Sequence, residues 1–476
     1  MIEELTGYSA ARLAALIRER AVSPVEVLAA HLDRIERFNP ALNAIVTLAP
    51  DAQKRAAEAA AAIIRGDAVG PLHGVPVTIK DTIETGGLRT TSGSVLRRRH
   101  TPGADAPAVA RLKAAGAIIL GKTNVPEMAL PYESDNPVFG RTNNPHDLAR
   151  TPGGSSGGCA AAISACLSPG GLGSDLSGSI RVPAHFCGIA GLKPTTGRVP
   201  AAGHFPPTEG PFSLGAVLGP MARRVEDLSL LFKALTGAGA ADSPLPALVE
   251  RDRLRARLRG WGAAWYADDG IVPVTPETRQ AVRAAAQALA DAGLAVREER
   301  PPGIERASGL WTPLFSRAGL LQLRAFYAGH EEQAGAFVKG ILGSAARGLS
   351  TSLDPFAGAA QERASLLAAL LEWMKETPLI VAPVGSVPAF EHGARNVEVE
   401  GRSFGVFQAF GYSRAFNVLG LPSVALPAGR SPAGLPIGVQ VVGRPHEEHA
   451  LLAAASIIEE ALGGWFEPQG LKTAGE

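Results

Sequence analysis

Cysteine is nearly absent from this chain: Cys159, Cys166 and Cys187 are the three in 476 residues, and no CxxC pair occurs among them. So few thiols cannot build a disulfide framework, and a reduced, cytoplasmic setting is expected. Histidine offers little to a metal. The ten residues include no HExxH pair, and His446 and His449 flank two glutamates in a stretch that reads as solvated. No metal and no cofactor are expected. Charge of one sign is missing too. The formal net charge of +1 supplies no field for nucleic acid or an anionic membrane. No run reaches the roughly 18 apolar residues of a membrane span. Residues 1–10 lack the basic start and apolar stretch of a signal peptide. The expected partner is a small molecule, with no nucleic acid and no stable membrane insertion; a homodimer is left open.

What the chain does have is core. Hydrophobic residues make up 46% and charged residues 19%, a balance that argues against disorder. Residues 1–65 read as helices, with Ser23-Pro24-Val25-Glu26 as a capping box. Residues 74–79 read as a buried strand ending at Lys80, 107–116 as a helix and 117–120 as a second buried strand. Gly- and Ser-rich turns dominate 151–180. Helix and strand patterns then alternate, which predicts an α/β fold. The segment 240–303 differs in composition. It holds a basic stretch from Arg251 to Arg259, a strand at 262–266, a helix opened by Thr275-Pro276-Glu277 and a strand at 294–296. Residues 304–375 read as mostly helical. No repeat or linker divides the chain, so one domain with a variable subregion is predicted.

Two motifs fail on inspection. Residues 116–123 match the phosphate-loop pattern GxxxxGK[ST], but the four residues between Gly116 and Gly121 are Ala, Ile, Ile and Leu. They read as a strand, leaving no flexible loop to surround a phosphate, and Lys122 is expected to be structural. Residues 153–157, Gly-Gly-Ser-Ser-Gly, match the GxSxG nucleophile elbow. That elbow needs a strand running into it, and residues 143–147 are turn formers instead. The apolar run from Cys159 to Ala165 reads as a buried helix, so this loop is wedged into the core rather than serving as a linker.

The chemistry is concentrated in residues 151–195, TPGGSSGGCAAAISACLSPGGLGSDLSGSIRVPAHFCGIAGLKPT. This stretch resembles the amidase signature family, marked by a GGSSGG loop, a T/S-D-x-G-G-S-I-R-x-P segment, FCG and GLKPT, all four blocks present in order and spacing. Gly74-Val75-Pro76 through Lys80-Asp81 resembles the family's GxPxxxKD strand, and residues 434–440 its GLPxGxQ block. The resemblance spans roughly residues 5–465. It implies a single α/β domain with a central twisted mixed sheet flanked by helices on both faces. Within it fall an N-terminal helical segment (1–65), a signature core (70–235), a variable subregion (240–412) and a C-terminal return to the core (413–465).

The resemblance also implies roles. Ser179 aligns with the nucleophile, Ser155 with a bridging serine on a cis peptide bond, and Lys80 with the base. The backbone amides of Leu176, Ser177, Gly178 and Ser179 align with the oxyanion donors. The family has glycine where Ser177 stands, so strain is expected there if that position needs positive φ. Asp175 and Arg181 read as a structural ion pair or as supports of the site. The physics is coherent. An ordinary lysine, with a pKa of about 10.4, is already protonated. Burial after an apolar strand lowers that value and makes Lys80 a base. In the fatty acid amide hydrolase branch a methionine follows the TNVP block and lines the pocket. Here Ala129 aligns with it, Met128 lies beside it, and Tyr132 matches that branch's tyrosine. The remaining pocket is expected from Trp311, Phe315, Phe326, Phe337, Phe404, Phe407 and Phe410.

The expected reaction is hydrolysis of an uncharged, aryl or apolar amide through an acyl-enzyme on Ser179. Carbamate (urethane) and ester cleavage follow the same route. The alternatives are the glutaminase subunit of a tRNA-dependent amidotransferase, whose glutamine-binding arginine motif is not recognised in 304–412, and a non-catalytic binding protein of the same fold.

Overall fold

In the computed structural model, residues 2–236, 255–345 and 353–471 are described. Local signals set many of the boundaries. Ser23 and Glu26 form the reciprocal capping box that starts the helix Pro24–Leu42. Thr275 caps Pro276–Asp291 by accepting from the Thr278 amide. The first part of the basic stretch, residues 251–254, lies outside the described residues.

Among the described residues, eleven of thirteen strands form one mixed sheet. In chain order they are β1 (Ile45–Leu48), β2 (Pro76–Lys80), β3 (Ile118–Thr123), β4 (Gly170–Asp175), β5 (Ala190–Lys193), β6 (Val217–Ala222), β7 (Gly262–Trp265), β8 (Ala295–Glu298) and β9 (Leu379–Pro383), then β12 (Ser423–Arg430) and β13 (Pro436–Val442). Their order across the sheet is β1-β3-β2-β4-β6-β5-β12-β13-β9-β7-β8. The remaining two, β10 (Asn396–Val399) and β11 (Arg402–Gly405), make a separate hairpin. Strands from the end of the chain sit at the middle of the sheet, so the whole is a single α/β domain.

Helices cover both faces, and alternate residues of the central strands face opposite cores. Val424 and Leu426 pack with the helices Val225–Thr236, Pro276–Asp291 and Glu448–Leu462. Ala425, between them, packs with Gly157–Ser164 and Arg181–Cys187. All eight residues of Gly157–Ser164 are buried, as the apolar run predicted. Lys122 lies within β3, and its ammonium donates to the Ile83 carbonyl and to the Thr85 hydroxyl at 3.1 Å. That strand is the physical reason no phosphate loop forms there. The sequence reading did not anticipate the short edge strand β1, the β10–β11 hairpin, or β4, which lies in the stretch 151–180 read as Gly- and Ser-rich turns. Among the described residues, no helix is long and apolar enough to cross a membrane.

Candidate active site

The sheet brings two polar strand ends together. β2 runs parallel to β4, with Thr78 opposite Gly171 and Ile79 opposite Leu172. Lys80 therefore emerges beside Ser174, both near the carboxyl ends of their strands, where open α/β sheets receive ligands. The Lys80 Nζ lies 2.9 Å from the Ser174 Oγ, 3.4 Å from the Ser174 carbonyl and 2.6 Å from the Ser155 Oγ. Lys80 is fully buried. That burial pulls its pKa down to about 7, against the opposing influence of Cys159 and Asp175.

Ser155 is delivered by the GGSSGG loop, whose Gly154–Ser155 peptide is cis. The loop is wedged against residues 131–133: a Cβ on Gly154 would sit 2.5 Å from the Pro131 carbonyl oxygen. Only glycine permits that approach. The Ser156 amide donates to the Ser179 carbonyl at 3.1 Å, tying this loop to the one after β4. Ser155 and Ser179 line the same cavity. The structure thus brings Lys80 and Ser155 into direct contact and places Ser179 on the shared wall. The Ser179 hydroxyl has no hydrogen-bond partner among the described residues.

The 176–180 loop is braced from several sides. Asp175 accepts from the Gly178 amide at 2.8 Å and the Ile180 amide at 3.0 Å. The buried Arg181 guanidinium forks onto both Asp175 oxygens at 3.1 Å and reaches Gln440, from the GLPxGxQ block, at 2.8 Å. Burial alone would raise the Asp175 carboxyl; Arg181 and these donors outweigh it and hold the group well below the usual carboxylate range. A depressed carboxylate contributes stability above its unfolded pKa and loses it as pH falls. Trp311 Nε1 donates to the Leu176 carbonyl at 2.9 Å, and the Tyr132 hydroxyl to the Ser177 carbonyl at 2.6 Å. Each held carbonyl fixes its peptide plane, and with it the opposite-pointing N–H of the next residue.

Two expectations change here. Ser177 does not take positive φ; Gly178 does, at 101°, where a Cβ would meet Ser413 at 2.7 Å. The expected strain at Ser177 is therefore absent. The Gly178 amide is directed at Asp175, so it is not a free donor; the amides of Ser177 and Ser179 make no hydrogen bond to a described group. Asp175→Ala should lower the unfolding free energy by about 3–5 kcal/mol, because it strands the Arg181 charge in the core. Urea denaturation of both proteins checks it.

The cavity holds about 400 Å³. Four of the seven expected aromatics line it: Trp311, Phe315, Phe337 and Phe407. The other three do not. Phe410 is buried against Tyr132 and Phe186, Phe326 packs edge-on to Phe205, and Phe404 lies under Arg402 on the β10–β11 hairpin. Ala129 and Met128 both line it, whereas Tyr132 braces the loop from behind. Sequence reasoning missed Phe212, Ser174 and His204, which also face the cavity. Ser174 sits inside the signature block, but His204 carries no local motif. Among the described residues, no group of three or more His, Cys, Asp or Glu could hold a metal ion.

Residues 26–452 match the Amidase family model. The chain belongs to the amidase family. It is similar to fatty-acid amide hydrolase 2-A of Danio rerio, 34% identical over 97% of this chain and 90% of the relative. It is also similar to a glutamyl-tRNA(Gln) amidotransferase subunit of Bdellovibrio bacteriovorus, at 33% over 96% and 98%. A solved bacterial aryl acylamidase of the amidase signature family superposes with a TM-score of 0.84 at 26% identity, covering 95% of this chain and 96% of that one. As an amidase the protein is a hydrolase acting on C–N bonds of small-molecule amides.

Proposed function

We propose that this amidase hydrolyses uncharged, apolar amides, aryl amides foremost, through an acyl-enzyme on Ser179. The observation that carries the reading is the composition of the cavity. Trp311, Phe315 and Phe407 face the wall that holds Ser155 and Ser179, and no lysine or arginine lines it among the described residues. Such a cavity favours an apolar acyl or aryl group and offers glutamine's carboxylate no cationic partner. That favours the small-molecule reading over the amidotransferase one, despite the similarity in sequence to that family of subunits. The intact constellation around Lys80 argues against a non-catalytic role.

In the proposed mechanism the Ser179 oxygen attacks the carbonyl carbon as its proton passes to Ser155 and the Ser155 proton passes to Lys80. Backbone amides of Ser177 and Ser179 receive the developing oxyanion. Collapse breaks the C–N bond, and the same chain returns a proton to the departing amine. Water then cleaves the ester by the reverse relay. Carbamates and esters fit the same sequence of steps.

A hydrolysis panel tests the substrate class. Aryl and apolar amides should be cleaved, with carbamates and esters next and glutamine not at all; rapid glutaminase activity, alone or with an added partner subunit, would overturn it. The base carries a pH signature. Only neutral Lys80 can accept a proton, so kcat/KM on a non-titrating amide should rise as pH passes through about 7 and then level. A limb near the ordinary lysine range would contradict a buried base.

A further inference from the structure

Lys80 has a second hydroxyl neighbour, and behind it stands a histidine. Residues after β5 return to the site, where His204 bridges to Ile83, three residues beyond Lys80. The His204 Nδ1 lies 2.7 Å from the Pro206 carbonyl oxygen, which can only accept. Nδ1 therefore carries a proton. Burial, with Lys80 and Lys122 nearby, lowers the His204 pKa to about 4, so the ring is neutral at working pH. A neutral ring protonated on Nδ1 has a lone pair on Nε2.

That lone pair sets a direction. His204 Nε2 is 2.9 Å from the Ser174 Oγ, so the Ser174 O–H donates to it. A hydroxyl has one proton, so toward Lys80, 2.9 Å away, the Ser174 oxygen can only accept. One N–H of neutral Lys80 serves that bond, and another reaches the Ser174 carbonyl at 3.4 Å. The amine lone pair is left for Ser155, whose Oγ stands 2.6 Å from Nζ. We propose that His204, acting through Ser174, is a positioning residue: it polarises the hydrogen bonds around Lys80 so that the amine lone pair faces the Ser155 proton. The inference rests on reading Lys80 as the base and Ser179 as the nucleophile. Without His204, the Ser174 hydroxyl is free to turn and donate to Lys80, competing with Ser155 for the lone pair.

The test is a double-mutant cycle read by the second-order rate at which a fluorophosphonate labels the protein, with amide kcat and KM measured alongside. His204→Leu should slow labelling by about 10- to 100-fold. His204→Asn can still donate to Pro206 but is too short to reach Ser174, so it should behave alike and guards against a folding failure of the leucine variant. His204→Gln, which can present an amide oxygen to Ser174, should recover most of the rate. In a Ser174→Ala background, His204→Leu should change the rate by no more than about twofold, because the partner it acts through is gone. Equal losses in both backgrounds, or a glutamine variant no better than leucine, would overturn the proposal. Ser179→Ala is run beside them. If it still labels, the reading of the nucleophile fails and the proposal fails with it; if it does not label while His204→Leu labels at the wild-type rate, only the role of His204 is lost.

Discussion

Ser179→Ala should lower kcat for an aryl amide by about 10⁴-fold or more, leaving KM and the unfolding midpoint nearly unchanged. The size follows from what the hydroxyl does. Removing it deletes the acyl-enzyme route, and what remains is binding and oxyanion stabilisation without an attacking group. The specificity follows from placement. Ser179 is buried but faces the cavity, and its hydroxyl makes no bond that holds the fold together. The brace on its loop comes from Asp175, Arg181, Trp311 and Tyr132, whose side chains hold backbone groups and one another rather than the deleted oxygen. Retained activity would require another nucleophile in the same cavity, and Ser155, the hydroxyl 2.6 Å from Lys80, is the first candidate.

Lys80→Met should be nearly as damaging, lowering kcat/KM by about 10³- to 10⁴-fold. Methionine keeps the length and the apolar stem, so the strand end stays filled. It removes the base at 2.6 Å from Ser155 and leaves the Ser155 hydroxyl without an acceptor for its proton, while Ser174 keeps its bond to His204. The residual rate should no longer rise through pH 7, since the group that titrates there is gone. Lys80→Arg should not rescue, because a guanidinium stays protonated at any working pH. A methionine variant with a wild-type pH profile would remove Lys80 from the chemistry.

Strands β2 and β3 were legible in the sequence because their apolar runs encode them locally, and Lys80, Ser155 and Ser179 were singled out by the motif blocks that resemble the family. Strand β4 was not legible, because its Gly-Gly-Leu-Gly-Ser run reads as a turn, and its parallel pairing with β2 is what brings Lys80 and Ser174 together. Ser174 itself was not anticipated, because its block singles out Ser179 and only the pairing of strands reveals what lies beside Lys80. Position in space was harder to read than position in a motif. Gly178, not Ser177, takes the left-handed backbone, since that choice depends on how Ser413 packs against the loop. Phe410 and Phe407 are three residues apart, yet one is core and the other faces the cavity. Aromatic identity does not encode which side of a wall a ring occupies. His204 was beyond reach, because its partner Ser174 lies on β4, distant in the chain, and the approach is made only by the loop past β5. The β10–β11 hairpin was closer to legible. Glu400 and Gly401 both take positive φ at its turn, and 396–399 alternate exposed and buried.

In the proposed mechanism Ser179, and not the serine bonded to Lys80, becomes acylated. Peptide mapping by mass spectrometry after fluorophosphonate labelling addresses it directly. A single adduct on Ser179 is expected, lost in Ser179→Ala and slowed but still on Ser179 in Ser155→Ala. An adduct on Ser155, or labelling that survives Ser179→Ala, would contradict it.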